Sequence, residues 1–381
     1  MAEPTVPAAR DASQVARLLG TPEIEHLIHE LEDTRWTGRP GYPIRTMLGM
    51  ALVKALYALP TWTRVVALVV DHAALRVALG IGTGDGPSHW ACYRFAAKLR
   101  EHGSLVNECI ESVLAGLANE HPEMGETVAI DGSDLPAYAN GQRFVFNHGP
   151  ERKRFSDPDA SWGHRSSIST RKGGGFYGYK IHAVVDVATE LPVAWKVETA
   201  RDSESPLVPD LLDLVGSRGF EPSVAILDRG YDNAPVYEAC EGRGIRPIIP
   251  LRETPFVKAG KAAPPKCSHG SWTFAGSDAK RGASKWRCPT GECSPASVWI
   301  KADRLHTLVP RSTKRWKDTY KQRGCVERGF GRLKHEWGML PLRVRRIDRV
   351  RLHVDLTILA QLATALTSAR EVHEAVPSVA A

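Results

Sequence analysis

An α/β fold behind a helical N-terminal part is what this sequence predicts, and three observations carry that expectation. Up to about residue 120 the apolar residues recur at helical spacing. From Glu126 onward, short apolar runs bounded by Gly, Pro, Asp and Ser take over, which is how strands read. Near Arg311 helical periodicity returns, now carrying a dense block of Arg and Lys.

The helical part opens on PEIEHLIHELE, where Pro22 suits a first turn because its missing N–H costs nothing there. After WTGRPGYP a second helix, IRTMLGMALVKALYAL, runs to Pro60, and a third, TWTRVVALVVDHAALRVALG, follows at once. Gly80, Gly82, Gly84 and Gly86 then make a loop, and Ser88 stands where a cap should precede HWACYRFAAKLREHG. That helix carries His89, Tyr93, Arg94, Lys98 and Arg100. Residues 88–99 therefore read either as the groove-reading helix of a helix-turn-helix or as one member of a small bundle.

TVAIDGSDL reads as a short strand ending in Asp131, bounded by Gly132 and Ser133. An acid closing a buried strand is costly unless it is paired or coordinates a cation, so Asp131 is a ligand candidate. The polar stretch 136–175 is expected to hold no core and to end in a basic hinge, RKGGG. YGYKIHAVVDVA and LPVAWKVETA pair as a hairpin around Thr189 and Glu190, and a helix fits 205–215 behind Pro206. PSVAILDRGYDN is a buried strand closed by Asp228; a helix fits 234–241, and IRPIIPL is a fifth strand. Asp134 and Asp232, near neighbours of the two strand-end acids, read as turn caps. The order of three strands, helix, strand, helix, strand and a last helix is the ribonuclease H-like topology. Its first and fourth strands are central neighbours, which brings the ends holding Asp131 and Asp228 together.

The last helix holds YKQRGCVERGFGRLK. Tyr320, Arg323, Glu327 and Lys334 fall at i, i+3, i+7 and i+14, close to whole turns, so one helix would carry all four on one face. An acid framed by Arg, Lys and a phenol suits a metal ligand beside a phosphate. Glu327 and Arg323 also read as a plain i,i+4 ion pair. Between Arg311 and His353 fourteen Lys and Arg face four Asp and Glu, a net of +10 against +7 for the whole chain. Trp316, Tyr320, Phe330 and Trp337 are interleaved with these cations, a pattern that points to nucleic acid.

The spacing Y-x2-R-x3-E-x6-K resembles the YREK signature of bacterial insertion-sequence transposases with a DDE triad. EWGMLPLRVRRIDRVRLHVDLTILAQLATAL is similar to the segment that follows the signature in those proteins. The resemblance implies Asp131, Asp228 and Glu327 as catalytic metal ligands, with Tyr320, Arg323 and Lys334 binding DNA phosphates. Three converging carboxylates need cations to stay ionised, and two Mg²⁺ about 3.5–4 Å apart, with Mn²⁺ as substitute, suit in-line phosphoryl transfer. The resemblance also implies a helical end-binding domain over 1–120, a catalytic domain over 121–252 and 311–370, and an insertion over 253–310. Partners would be transposon ends and target DNA, bound by a dimer on paired ends. A silent DNA-binding descendant and a metal-dependent nuclease are the alternative readings.

An apolar share of 43% with 24% charged residues is ordinary for a globular chain. No apolar run approaches the roughly 20 residues of a membrane span, and MAEPTVPAARDASQ lacks a secretory pattern, so a cytoplasmic, nucleoid-associated bacterial protein is expected. Seven cysteines argue against a disulfide framework. In the insertion, Cys267, His269, Cys288 and Cys293 are spaced C-x-H and C-x4-C, unlike common zinc ribbons, and read as scattered thiols with a structural zinc as the alternative. Trp272, Trp286 and Trp299 read as the insertion's own core. Related transposases use an insertion here to hold a flipped base, which one of these indoles could stack on.

Overall fold

Residues 11–34, 41–84, 86–139, 141, 156–165, 173–255, 260 and 262–375 are described by a computed structural model of the chain. The first ten residues and most of the basic hinge sequence's surroundings, 166–172, lie outside the described residues.

Seven helices come first: α1 (Ala12–Leu19), α2 (Pro22–Asp33), α3 (Ile44–Leu56), α4 (Trp62–Asp71), α5 (Ala73–Ala78), α6 (His89–Glu101) and α7 (Gly103–Glu120). α3 is buried almost all round, as its apolar sequence requires, and forms the middle of the helical layer. The single helix expected over 61–80 is two. His72 leaves helical backbone and its Nδ1 accepts from the Leu75 N–H at 3.3 Å, so a side-chain cap starts a new helix in place of continuation. Ser88 caps α6 as expected, accepting from the Ala91 N–H.

The sheet is built from β1 (Thr127–Pro136), β2 (Ser161–Arg165), β3 (Gly174–Asp186), β4 (Pro192–Thr199), β5 (Val224–Leu227) and β6 (Arg246–Ile248), with α8 (Val208–Ser217) and α9 (Ala234–Glu241) as crossovers. β3 runs antiparallel between β4 and β1; β1, β5 and β6 are parallel. This is the expected mixed sheet with β1 and β5 side by side. Two details differ. β1 does not end at Asp131 but continues five residues further, because the long β3 offers partners out to Gly178. Gly178 allows this: a Cβ there would lie 2.3 Å from the Leu135 carbonyl oxygen.

The polar stretch expected to hold no core contributes β2, which pairs with the first half of β3 while β4 takes the second half. Asp157 in the same stretch is fully buried, accepting from the Tyr179 hydroxyl at 2.7 Å and from the Arg346 N–H at 3.0 Å. The carboxylate sits inside here because Asp157 Oδ1 meets two donors, while its Oδ2 is buried without one among the described residues.

α10 (Lys314–Lys321), α11 (Gly324–His335) and α12 (Ile347–Ala375) close the chain. α12 is long and apolar enough to cross a membrane, but it packs on α3, α7 and β4 and 67% of its apolar window is buried inside the protein. One continuous core therefore joins the N-terminal helices to the sheet. Trp316, Phe330 and Trp337 are buried in that core, so these three rings are packing residues and not the stacking surface their interleaving with cations suggested.

Asp355 on α12 accepts from the Trp195 indole N–H at 2.8 Å. Burial lifts its carboxyl from 3.8 to about 6, against the Trp195 hydrogen bond and the Arg218 and Arg351 charges, which pull it down. An acid raised by folding stabilises fully below its unfolded value, and that stability is lost as pH rises through about 6. Asp355→Asn should flatten this fall between about pH 4 and 6, a component of up to about 3 kcal/mol for two pH units. Urea melts across that window measure it, and parallel curves for the two proteins would contradict it.

Candidate active site

Asp131 and Asp228 sit at the carboxyl side of the two central parallel strands. The last β1–β5 register pair is Ile130 with Leu227, so the two acids are the next pair across strands about 4.8 Å apart. Asp131 is held mid-strand, and the Gly132 N–H donates to its Oδ1 at 2.9 Å. Asp228 starts a tight turn, Arg229–Tyr231, and accepts from the Gly230 N–H at 2.6 Å.

Glu327 arrives from α11. The stripe Tyr320, Arg323, Glu327 and Lys334 is not on one helix, because the chain tightens at 322–323 between α10 and α11. There Arg323 and Val326 N–H groups bond three residues back, and Gly324 weakens continuation of the α-helix. The backbone remains in the right-handed region, so the four residues still face the strands.

Arg323 joins the acids. One guanidinium nitrogen donates to Glu327 Oε1 at 2.6 Å and the other to Asp131 Oδ2 at 2.7 Å. Asp131 and Arg323 are 15% and 16% exposed, whereas Glu327 is 64% exposed. Two of the sequence-selected acids, Asp131 and Glu327, therefore share one guanidinium, and Asp228 lies beside Asp131 on the neighbouring strand. Burial pushes the Asp131 carboxyl up to about 7; Arg323 opposes the rise, while Asp228 and Glu204 add to it. Burial first, and the neighbouring acids after it, thus work against the charged form of Asp131.

The other selected residues lie close by. Lys334 donates to Ser133 Oγ at 2.7 Å, two residues past Asp131. Tyr320 stacks on Trp316 at 5.2 Å and is half-buried; burial raises its hydroxyl, with Arg323 pulling down and Asp228 pushing up. Asp134 and Asp232 do not cap turns. Asp134 lies within β1 opposite Lys180. Asp232 is buried and takes a two-pronged ion pair from Arg304 at 2.9 and 3.0 Å, plus the Arg252 N–H at 2.7 Å. Arg252 also bonds the carbonyls of Arg229 and Gly230, so this cluster braces the turn that carries Asp228.

Three residues near the acids have no motif to flag them. Glu204 pairs with Lys180 at 2.9 Å and reaches over Gly132, where a Cβ would meet its carboxylate at 3.0 Å and His182 Nδ1 at 3.2 Å. His182 is buried opposite Gly132, and burial lowers it to about 4, so it is neutral. The glycine after Asp131 was the available signal: a side-chain-free position beside a strand acid marks a close approach.

The donor set fits divalent cations. It is made only of carboxylate oxygens, the kind Mg²⁺ takes, and a cationic guanidinium already lies between two of them.

The basic block is partly committed to the fold. Arg311 bonds the Ile249, Leu305 and Arg304 carbonyls and the Tyr237 hydroxyl, Arg328 and Arg332 pair with Glu190, and Arg351 pairs with Glu198. Arg343 and Arg345 instead stack on Tyr138 at 4.9 and 5.1 Å. They line a cavity of about 570 Å³, shared with the exposed rings of Trp90 and Tyr93 on α6 and with Arg100 and Arg349.

The insertion carries β7 (Lys266–Cys267), β8 (Gly270–Ser271), β9 (Thr273–Asp278), β10 (Ala283–Arg287) and β11 (Ser297–Lys301). Trp272 and Trp286 are its core, as expected. Trp299 is not: it is 42% exposed, with Arg281 and Lys285 over its ring at 5.0 and 5.6 Å.

No curated protein matches the sequence. A solved piggyBac transposase, in a synaptic complex with hairpin DNA, is similar over 98% of this chain and 84% of that chain, at 14% identity and a TM-score of 0.42. Residues 2–98 match the family described as Transposase domain (DUF772). Residues 122–362, which hold Asp131, Asp228 and Glu327 and make up more than half of the chain, match the family described as Transposase DDE domain, and the chain belongs to that family of transposases.

Proposed function

We propose that this transposase cuts DNA at the ends of an insertion sequence and joins them to a target, with water and then the freed 3′-hydroxyl as nucleophiles. The observation that carries this reading is the gathering of Asp131 and Glu327 on one guanidinium beside Asp228. Divalent cations, Mg²⁺ or in its place Mn²⁺, would be held by these three acids and supply Lewis-acid polarisation of the scissile phosphate. Asp131 is the positioned member, fixed mid-strand and shielded from water, while exposed Glu327 on α11 has freedom to adjust. Arg323, released from either carboxylate, has its fork free for non-bridging phosphate oxygens. Lys334, held toward Ser133, and Tyr320, whose hydroxyl burial pushes further up, offer further donors to the same phosphates.

For DNA binding, the cavity between α6 and residues 343–357 offers the mixture of cations and open aromatic faces that nucleic-acid strands use. Residues 1–120 would thus help to hold the ends, and the exposed Trp299 would supply a stacking surface in the insertion. Replacing both Arg343 and Arg345 by Ala should weaken end binding and reduce the slope of log affinity against log salt by roughly 1.8, two phosphate contacts at about 0.9 each. An unchanged slope in a fluorescence titration would place the DNA elsewhere.

Joining is the test of function. Incubated with paired 3′-hydroxyl donor ends and a target plasmid in Mg²⁺, the protein should yield joined product. Nicks alone would mean a nuclease, and a shifted band without either would mean a binder that does not cut.

A further inference from the structure

We propose that the insertion is a zinc-binding subdomain in which Cys267, Cys288 and Cys293 supply three thiolates and His269 the fourth ligand. The sequence spacing argued against this, yet the fold brings the sulfurs together. All three lie within 4.8 Å of one another, and Cys267 Sγ stands 3.8 Å from Cys288 Sγ. A tetrahedral zinc with Zn–S bonds of about 2.3 Å has sulfur-to-sulfur edges of about 3.8 Å, so the observed separation is that of a ligand pair. It is far longer than the roughly 2.04 Å of a disulfide, and the cysteines are free.

Two turns make the cluster. Gly270, at φ +119, lets β7 fold back on β8 directly after Cys267. Gly291, at φ +79, turns the chain between Cys288 and Cys293, its N–H bonding the Cys288 carbonyl at 3.3 Å. Counting residues missed the site because these turns, not a two-residue gap, set the distances. His269 stands beside the cluster and not within it: its Nδ1 is 2.5 Å from Thr290 Oγ1, itself 3.5 Å from Cys288 Sγ, and 3.1 Å from Glu292 Oε2, so it becomes the fourth ligand by leaving these partners.

The physical need is plain. Among the described residues the insertion's own apolar cluster has just Trp272, Trp286 and Cys288 as buried members, with Phe274, Val298 and Ile300 partly buried against them, a small core to hold five short strands. Small units of this kind use a metal or disulfide staple. Zinc suits the soft sulfur donors, whereas the Mg²⁺ proposed for the carboxylates does not.

The test uses the untagged full-length chain. Mass-spectrometric metal analysis should find one zinc per chain, and Co²⁺ added to chelated protein should give the charge-transfer absorption of three thiolates. Cys288→Ser and Cys293→Ser should each lower zinc affinity by at least about a hundredfold, more than the loss of an outer-shell partner costs. His269→Ala should lower it about tenfold or more, and unchanged affinity would overturn the histidine's part. Metal-free wild-type protein with no cobalt charge-transfer band, or a Cys267–Cys288 disulfide found by peptide mapping, would overturn the proposal without requiring any variant to fold.

Discussion

Asp228→Ala should lower strand cleavage by about a thousandfold or more, the scale on which loss of a single charge-stabilising group is felt, while end binding stays within about twofold. The reason is positional. Asp228 lies next to Asp131 across the parallel pair, and its carboxylate accepts from the Gly230 N–H and, among the described residues, is not hydrogen-bonded to a cation, so its loss removes a ligand without removing a DNA contact. Cleavage of labelled end DNA in Mg²⁺, run beside a binding titration, separates the two effects. Normal cutting by the variant would remove Asp228 from the reaction; lost binding would make it a structural residue.

Arg304→Ala should destabilise the protein by about 3–5 kcal/mol, because it strands a buried charge. Asp232 is wholly shielded from solvent and its two oxygens are matched by the fork of Arg304, with the Arg252 N–H as a third donor. Removing Arg304 leaves a buried carboxylate with the neutral Arg252 N–H in place of a matching charge. The double variant with Asp232→Asn should recover part of the loss, since the orphaned charge is gone. Denaturant melts of the single and double variants decide this, and a single variant as stable as wild type would show that water replaces the arginine. The pair also links the exit of the insertion to the turn after Asp228, so the single variant should cleave more slowly than its remaining folded fraction accounts for.

The fold was legible where burial and periodicity agree. TVAI, AVVD and VAIL are apolar runs too short for helices, and each became a strand of the central sheet. The two acids were legible because a carboxylate at the end of such a run stands out against its surroundings. β2 was not legible, because its stretch looks polar; its order comes from Asp157 meeting donors on β3 and before α12, contacts distant in sequence. The break between α10 and α11 escaped periodicity because helical dihedrals persist through it. Glu204 and His182 escaped for a different reason: nothing in their own segments marks them, and only the register that sets His182 against Gly132 reveals them. The aromatic rings beside cations and in the insertion were the least legible, whereas Tyr93 is open as a groove-reading helix requires. Trp316, Phe330 and Trp337 beside cations proved to be core, while Trp299, expected in the insertion's core, is exposed.

That three carboxylates far apart in sequence form one cation site is tested most directly by diffraction. Crystals of the protein with end DNA and Mn²⁺, measured at an energy where manganese scatters anomalously, should show a peak contacted by Asp131, Asp228 and Glu327, with Arg323 moved off at least one carboxylate. Manganese bound elsewhere, with Arg323 still bridging Asp131 and Glu327, would contradict it.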